Sequence, residues 1–273
     1  MLSIITAVHN QLEMNKVFWK HLAACTRDKY ELIIIDNNSS DGSGNFFKDV
    51  GARVITNDQN FSYPVSQNQG IRIATGDHLV FINNDVIVSQ NWDKRLLANM
   101  LFNDLDVITC CGIEQVETAR ATRMLKRRWR YFRVLARLLG KSQITLELMH
   151  SLMYKGDWDG FCDRRFQEFK LMAVEGFVGN TVVMTRRAIE ILGLWDETQQ
   201  GADFDLYLRS KMRHVSVGDI KPVHIALDVF NHHFIRLTLG SRPDPFFDRD
   251  RLIPLESKWT SVELEMLNDR HRA

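Results

Sequence analysis

The sequence is poor in cysteine, in net charge and in long apolar runs. Four cysteines in 273 residues exclude a disulfide-built scaffold. Cys25, Cys110, Cys111 and Cys162 lack metal-ligand spacing, and the adjacent pair lies in an apolar, strand-like context, so reduced and buried thiols are expected. No apolar run approaches the ~18 residues that span a bilayer, and the amino terminus lacks a basic region followed by an apolar core and a cleavage site. A cytosolic protein is expected. A net charge of +1 gives no global reason to expect nucleic acid, so any basic partner surface must be local. There is no internal repeat. What remains, 45% hydrophobic and 25% charged residues, is ordinary globular material, enough for one large α/β domain or a domain with an appendage.

The most informative stretch runs from Asp77 to Val86, where an apolar segment stops at Asn83-Asn84-Asp85. Such a run suits a central strand of an α/β sheet, and the crevice at a strand's carboxyl end is where these sheets bind ligands. Asp85 then offers a hard oxygen ligand suited to Mg2+ or Mn2+. All three residues also favour turns, so the triplet alone reads equally as a turn.

Strands and helices alternate around it. Leu2 to Val8 is a strand ending at His9-Asn10, and Glu13 to Cys25 has helical spacing. Tyr30 to Ile35 is a strand followed by turn and capping residues from Asp36 to Ser43. A strand at Ala52 to Thr56, a helix at Ser66 to Thr75, a helix at Ser89 to Asn103 and a strand at Leu105 to Cys111 continue the pattern. The alternation implies a mostly parallel sheet covered on both faces. Further on, Glu175 to Met184 reads as one strand, and Arg186 to Leu192 as a helix capped by Thr185 and ended by Gly193.

Four segments, in order, resemble the nucleotide-sugar half of family 2 glycosyltransferases with a Rossmann-like GT-A fold. They are Ala7-Val8-His9-Asn10, Ile34 to Ser43, Asn68-Gln69-Gly70-Ile71 with Ala74 to Asp77, and Phe81 to Asp85. The resemblance implies a base-holding loop of Ala7, His9 and Asn10, with Asp36 and Asn37 reading the base. An amide at 37 offers a pyrimidine edge both a donor and an acceptor, so UDP- or dTDP-sugars are the first expectation. His9 alone would read as a surface turn histidine. Asn68 is expected to bind nucleotide or to cap a helix, and Gln67 stands where many relatives carry a phosphate-binding arginine. Asn83-Asn84-Asp85 matches the family's Asp-x-Asp motif, with Asn83 in place of the first acid, and the resemblance makes Asp85 the principal Mn2+ or Mg2+ ligand.

The same resemblance covers Gly201 to Arg209, where Ala202 replaces the usual Glu and Asp203 matches the base of an inverting transfer. Asp203 and Asp205 also suit the first turn of a helix. Gly179, Asn180, Trp195 and Asp205 are expected on the acceptor side. Some relatives place a late histidine near the metal, which nominates His232 and His233, with His224 a weaker candidate. As residues alone, these histidines read equally as surface or hydrogen-bonded groups.

Between Ala119 and Lys141 the chain carries nine arginines and lysines, no acid, and apolar residues at helical spacing, a basic amphipathic helix or helix pair. Residues 120–141 can touch anionic lipid, dock a phosphate-bearing acceptor, or form a solvated face packed by its apolar stripe. The tail from Arg242 has three prolines and a helix at Ser261 to Asn268, and it can cover the acceptor cleft or pack on a neighbour. The expected organisation is a nucleotide-sugar half (1–111), a basic helical insertion (112–170), an acceptor half (171–235) and a carboxyl-terminal extension (236–273). The function expected is metal-dependent transfer of a hexose or deoxyhexose to a glycan or lipid-linked glycan in polysaccharide biosynthesis. A nucleotidyltransferase would call for a Gly-rich phosphate loop, absent at Thr6 to Asn10. A nucleotide-sugar-binding scaffold that has lost catalysis is the other alternative, motivated by Asn83 and Ala202.

Overall fold

The computed structural model describes residues 1–237 and 245–269. The amino-terminal half follows a regular order: β1 (Leu2–Val8), α1 (Leu12–Cys25), β2 (Tyr30–Asn37), α2 (Ser43–Asp49), β3 (Arg53–Asn57), α3 (Tyr63–Ile73), β4 (His78–Ile82), β5 (Val86–Ile87), α4 (Trp92–Phe102) and β6 (Val107–Cys111). Four helices then leave the sheet: α5 (Ala119–Phe132), α6 (Val134–Leu139), α7 (Gln143–Met153) and α8 (Trp158–Phe169). The chain returns through β7 (Ala173–Glu175), β8 (Thr181–Thr185), α9 (Arg186–Leu192), α10 (Ala202–Ser216), β9 (His224–Phe230), β10 (His232–His233) and α11 (Ser261–Asp269).

The main sheet has eight strands in the order β3-β2-β1-β4-β8-β6-β9-β7. It is mostly parallel, as the alternation predicts, with β8 antiparallel to both β4 and β6, and β7 antiparallel to β9. Alternate residues feed opposite faces. Ile4, Val80, Val183 and Ile108 point to the side covered by Phe18 and Leu22 of α1 and by Trp92 and Leu96 of α4. Ile5, Phe81, Val182 and Val107 point to the side covered by Ile71 of α3 and by Leu206 and Tyr207 of α10. Burial on both faces is why the strands read as continuous apolar runs.

The expected strand from Glu175 to Met184 is in fact two. Gly176, with φ at 156°, and Gly179 sit in a loop that carries the chain from the sheet's outer edge at β7 to its interior at β8. Helix α3 also starts earlier than expected. Ser62 precedes it, and Pro64 occupies its first turn, where a missing N–H costs nothing.

The second half of the tail packs on its own chain. Asp248 accepts hydrogen bonds from the N–H and hydroxyl of Ser62, and Trp259 and Leu264 join the core beside α10. Residues 238–244 and 270–273 of the expected extension lie outside the described residues. All four cysteines are free and buried. Burial pushes the Cys25 thiol up to about 11 and that of Cys111 to about 12.

Candidate active site

One edge of the sheet gathers the polar ends of its strands. The carboxyl ends of β1, β2, β4, β6 and β9 share that edge because these strands run in one direction. Strand β8 runs the other way, so its beginning, not its end, arrives there. Asn83 and Asn180 therefore meet, with the Asn83 N–H donating to the Asn180 carbonyl at 3.2 Å.

Asp85 follows β4 and is 5% exposed. The short pairing of β5 with β10 brings His233 opposite Val86, and His233 Nε2 lies 3.1 Å from Asp85 Oδ1. Its other nitrogen, Nδ1, bonds Glu114. Burial would lower the imidazole's pKa, but the two carboxylates outweigh it and hold His233 protonated well above the ordinary histidine range. Asn180 Nδ2 donates to the second oxygen of Glu114 at 3.4 Å.

Asp203 opens α10 beneath the same edge. A Cβ built on Gly179 would stand 2.1 Å from Asp203 Oδ2, so only glycine admits the carboxylate at that point. Burial pushes its pKa up to about 7, with the nearby His233 charge pulling the other way. Asp203 hence holds its proton into the neutral range, where a general base works best.

The nucleotide-side residues adjoin this cluster. His9 Nδ1 is 2.6 Å from the Asn37 carbonyl, and the Asn10 side chain accepts the Ser40 N–H at 2.8 Å. Ala7 is partly exposed and packs on the α3 side of the sheet. Asp41, from the loop after β2, accepts the Leu12 N–H and so completes the α1 terminus that Gln11 leaves uncapped.

Several of the expected site residues are engaged within the fold. The Asn37 amide is spent internally: its nitrogen donates to Phe61 O and Ser66 Oγ, and its oxygen accepts from Asn57. Asp36 is 3% exposed and accepts the Ser39 N–H, shaping the loop rather than facing the cleft. Asn68 clamps the backbone of Trp195, donating to its carbonyl and accepting its N–H. Trp195 is 3% exposed and edge-on to Tyr63 and Phe81. Asp205 is fully buried between Arg209, Lys258 and the Trp259 indole. Asn84 donates to Asn15 of α1 at 2.7 Å.

His232 points to the opposite face of β10 from His233, as neighbours in a strand must. It is sealed among Trp129, Tyr154, His150 and Phe234, with Nδ1 at 2.8 Å from the Tyr154 hydroxyl, so it is not positioned as a metal ligand. His224 begins β9, at the far edge of the sheet, and bonds the Pro222 carbonyl.

Glu114 went unnoticed in the sequence. The available signal was the one that marked Asp85, an acid just beyond an apolar strand, here Val107 to Cys111. Among the described residues, no three acidic, histidine or cysteine side chains are arranged around a common metal position. Asp85 and His233 nonetheless suit a divalent cation that brings most of its ligands from outside. Carboxylate oxygen and, once its Nε2 proton is displaced, imidazole nitrogen are appropriate donors, and the two carboxylates that hold His233 charged favour a cation there.

The glycosyl transferase family 2 profile matches residues 3–159. Among curated relatives, a glycosyltransferase GlyG of Streptococcus pneumoniae is 24% identical over 40% of this chain and 38% of its own length. The uncharacterized glycosyltransferase YibD of Escherichia coli is 28% identical over 40% of this chain and 33% of its own. The matched part thus spans little more than a third of these relatives. Among solved structures, a mannosyltransferase of Pyrobaculum calidifontis in complex with GDP-Man and Mn2+ superposes with a TM-score of 0.50 at 16% identity, over 82% of this chain and 56% of that one. S. aureus TarS 1-349 with UDP-GlcNAc gives 0.53 at 12% identity, over 85% and 58%. With the profile over more than half its length and a GT-A sheet carrying these loops at one edge, this chain belongs to glycosyl transferase family 2.

Proposed function

We propose that the protein transfers a sugar from a nucleoside diphosphate sugar to an acceptor hydroxyl with inversion, using Asp203 as the base. The observation that carries this reading is the pairing of two unlike acids across the Asn83–Asn180 contact. Asp85 is ion-paired to His233, while Asp203 is lifted to about 7 by burial. A desolvated carboxyl that keeps its proton toward neutrality is suited to proton transfer, and an ion-paired carboxylate to holding charge.

In the step proposed, the acceptor oxygen attacks the anomeric carbon as its proton passes to the Asp203 carboxylate, and the bond from that carbon to the diphosphate breaks on the opposite side. One displacement inverts the anomeric centre and needs a single carboxylate at the acceptor oxygen. Asp85 and His233 would hold Mn2+ or Mg2+, which when bound supplies charge stabilisation to the departing diphosphate. Asn83 and His9 stand on the donor side. The GDP-Man and UDP-GlcNAc complexes of the two structural neighbours support a nucleotide-sugar donor of this kind. With the Asn37 amide committed internally, the pyrimidine preference rests on the motif resemblance alone, and both purine and pyrimidine diphosphates belong in the binding test.

The decisive variant is Asp203→Asn, which keeps size and removes the base. Transfer should fall about 100- to 10,000-fold, the usual worth of a positioned base. Donor binding, measured by titration calorimetry with UDP, dTDP and GDP in the presence of Mn2+, should be unchanged. Near-normal transfer by this variant would remove Asp203 from the mechanism. Tight donor binding by the parent protein without transfer to any acceptor in a broad panel would favour a binding or scaffold role instead.

A further inference from the structure

Helices α5 and α6 present a surface that the transfer chemistry does not use. From Thr118 to Leu146 the chain has no acidic residue. The buried side of α5 and α6 is ordinary, with Trp129 2% exposed and Leu125, Phe132 and Leu135 packed into an apolar cluster with Met149 of α7 and Phe234. The opposite side is not. Met124 is 65% exposed, Tyr131 76% and Leu138 74%, with Val134 and Leu139 also exposed. Met124, Arg127, Tyr131, Val134 and Leu138 follow one another at steps of three and four, so they form one ridge. Arg133 keeps helical backbone angles between the two helices, which carries the ridge from α5 into α6.

Cations flank this apolar ridge. Arg120, Arg123, Lys126, Arg127, Arg130 and Arg133 form no ion pair with a carboxylate among the described residues; the nearby Arg128 donates to the Leu152 carbonyl. One flank, with Arg123, Lys126, Arg130 and Arg133, lines a groove of about 690 Å³ that continues past Trp129 to Glu114. A small anionic ligand would satisfy the cations but leave the ridge in water. A second copy of this chain seated face to face would bring like charges together. An anionic lipid surface meets both demands, taking large side chains into its boundary while its headgroups neutralise the cations.

We infer that the α5–α6 face seats this protein on an anionic membrane surface, with the ridge of Met124, Tyr131, Val134 and Leu138 entering the headgroup boundary. No helix among the described residues is long and apolar enough to cross a membrane, so this contact is peripheral. The inference stands apart from the reaction, and its test needs no turnover.

The test is co-sedimentation of the whole chain with vesicles of phosphatidylcholine alone and of phosphatidylcholine mixed with phosphatidylglycerol. Binding is expected to the mixed vesicles only, weakening as salt is raised. The triple variant Arg123→Ala, Arg127→Ala, Arg130→Ala should bind about 100-fold more weakly, at roughly fivefold per cation near such a surface. The variant Tyr131→Ser, Leu138→Ser keeps every charge and should also lose at least about tenfold, since it removes the apolar contact. Circular dichroism matching the parent protein checks that both fold. Failure of the parent protein to bind mixed vesicles overturns the inference. So does unchanged binding by the serine variant, which would mean that the face reads charge alone, as for an acidic polymer or protein.

Discussion

Asp203 is charged in the unfolded chain at neutral pH and keeps its proton to higher pH in the folded one. The unfolded carboxyl titrates near 3.9, whereas burial lifts the folded group to about 7. Its favourable contribution is therefore complete below about pH 4 and is lost as pH rises through about 7. Asp203→Asn removes the cost of burying the charge. The variant should melt higher than the parent at pH 8, and the advantage should vanish at pH 4, as thermal unfolding at the two values would show. Equal shifts at both would mean that the carboxylate is not desolvated. The position of this residue was legible from the motif and its place at a helix start. Its raised pKa was not, because that depends on Gly179 and the core closing over it. For the same reason His232 and His233 could not be ranked in sequence: only the pairing of β10 with β5 decides which one turns toward Asp85.

At the level of elements, the first 111 residues were readable because two-sided burial writes each strand as an apolar run and capping residues mark each end. Strand β8 was misjoined to β7 because the intervening Phe177-Val178 is as apolar as the strands themselves. Only the glycines at 176 and 179 hinted at a break. Asn68 shows what the motif alone could not, that a polar side chain on a motif helix ties α3 to the Trp195 loop. Asn68→Ala leaves the buried Trp195 N–H and carbonyl without this partner. A loss of about 1–3 kcal/mol in denaturant unfolding is expected, with the Kd for donor nucleotide unchanged. A large rise in that Kd at unaltered stability would return Asn68 to the binding site.

Across the whole molecule, the carboxyl-terminal segment is held to α10 by a buried charge. Asp205 is fully buried and meets Arg209 at 2.8 Å, Lys258 at 2.7 Å and the Trp259 indole at 3.0 Å. Asp205→Ala would leave the Arg209 guanidinium and the Trp259 indole without this partner, with Lys258 keeping Asp196 at 2.7 Å, and breaking a buried pair from one side costs about 3–5 kcal/mol. Denaturant unfolding should show a loss of that order, with the segment after residue 245 becoming open to proteolysis. A shift in acceptor KM without loss of stability would instead place Asp205 in the cleft. The four thiols offer a practical opening of another kind. All are buried, and their raised pKa values keep them from ionising near neutrality, so they are poor nucleophiles toward alkylating reagents. A single cysteine introduced at an exposed position would be the preferred point of attachment for a dye or spin label in the folded chain, and its motions could be followed without first stripping the native sulfurs from the core.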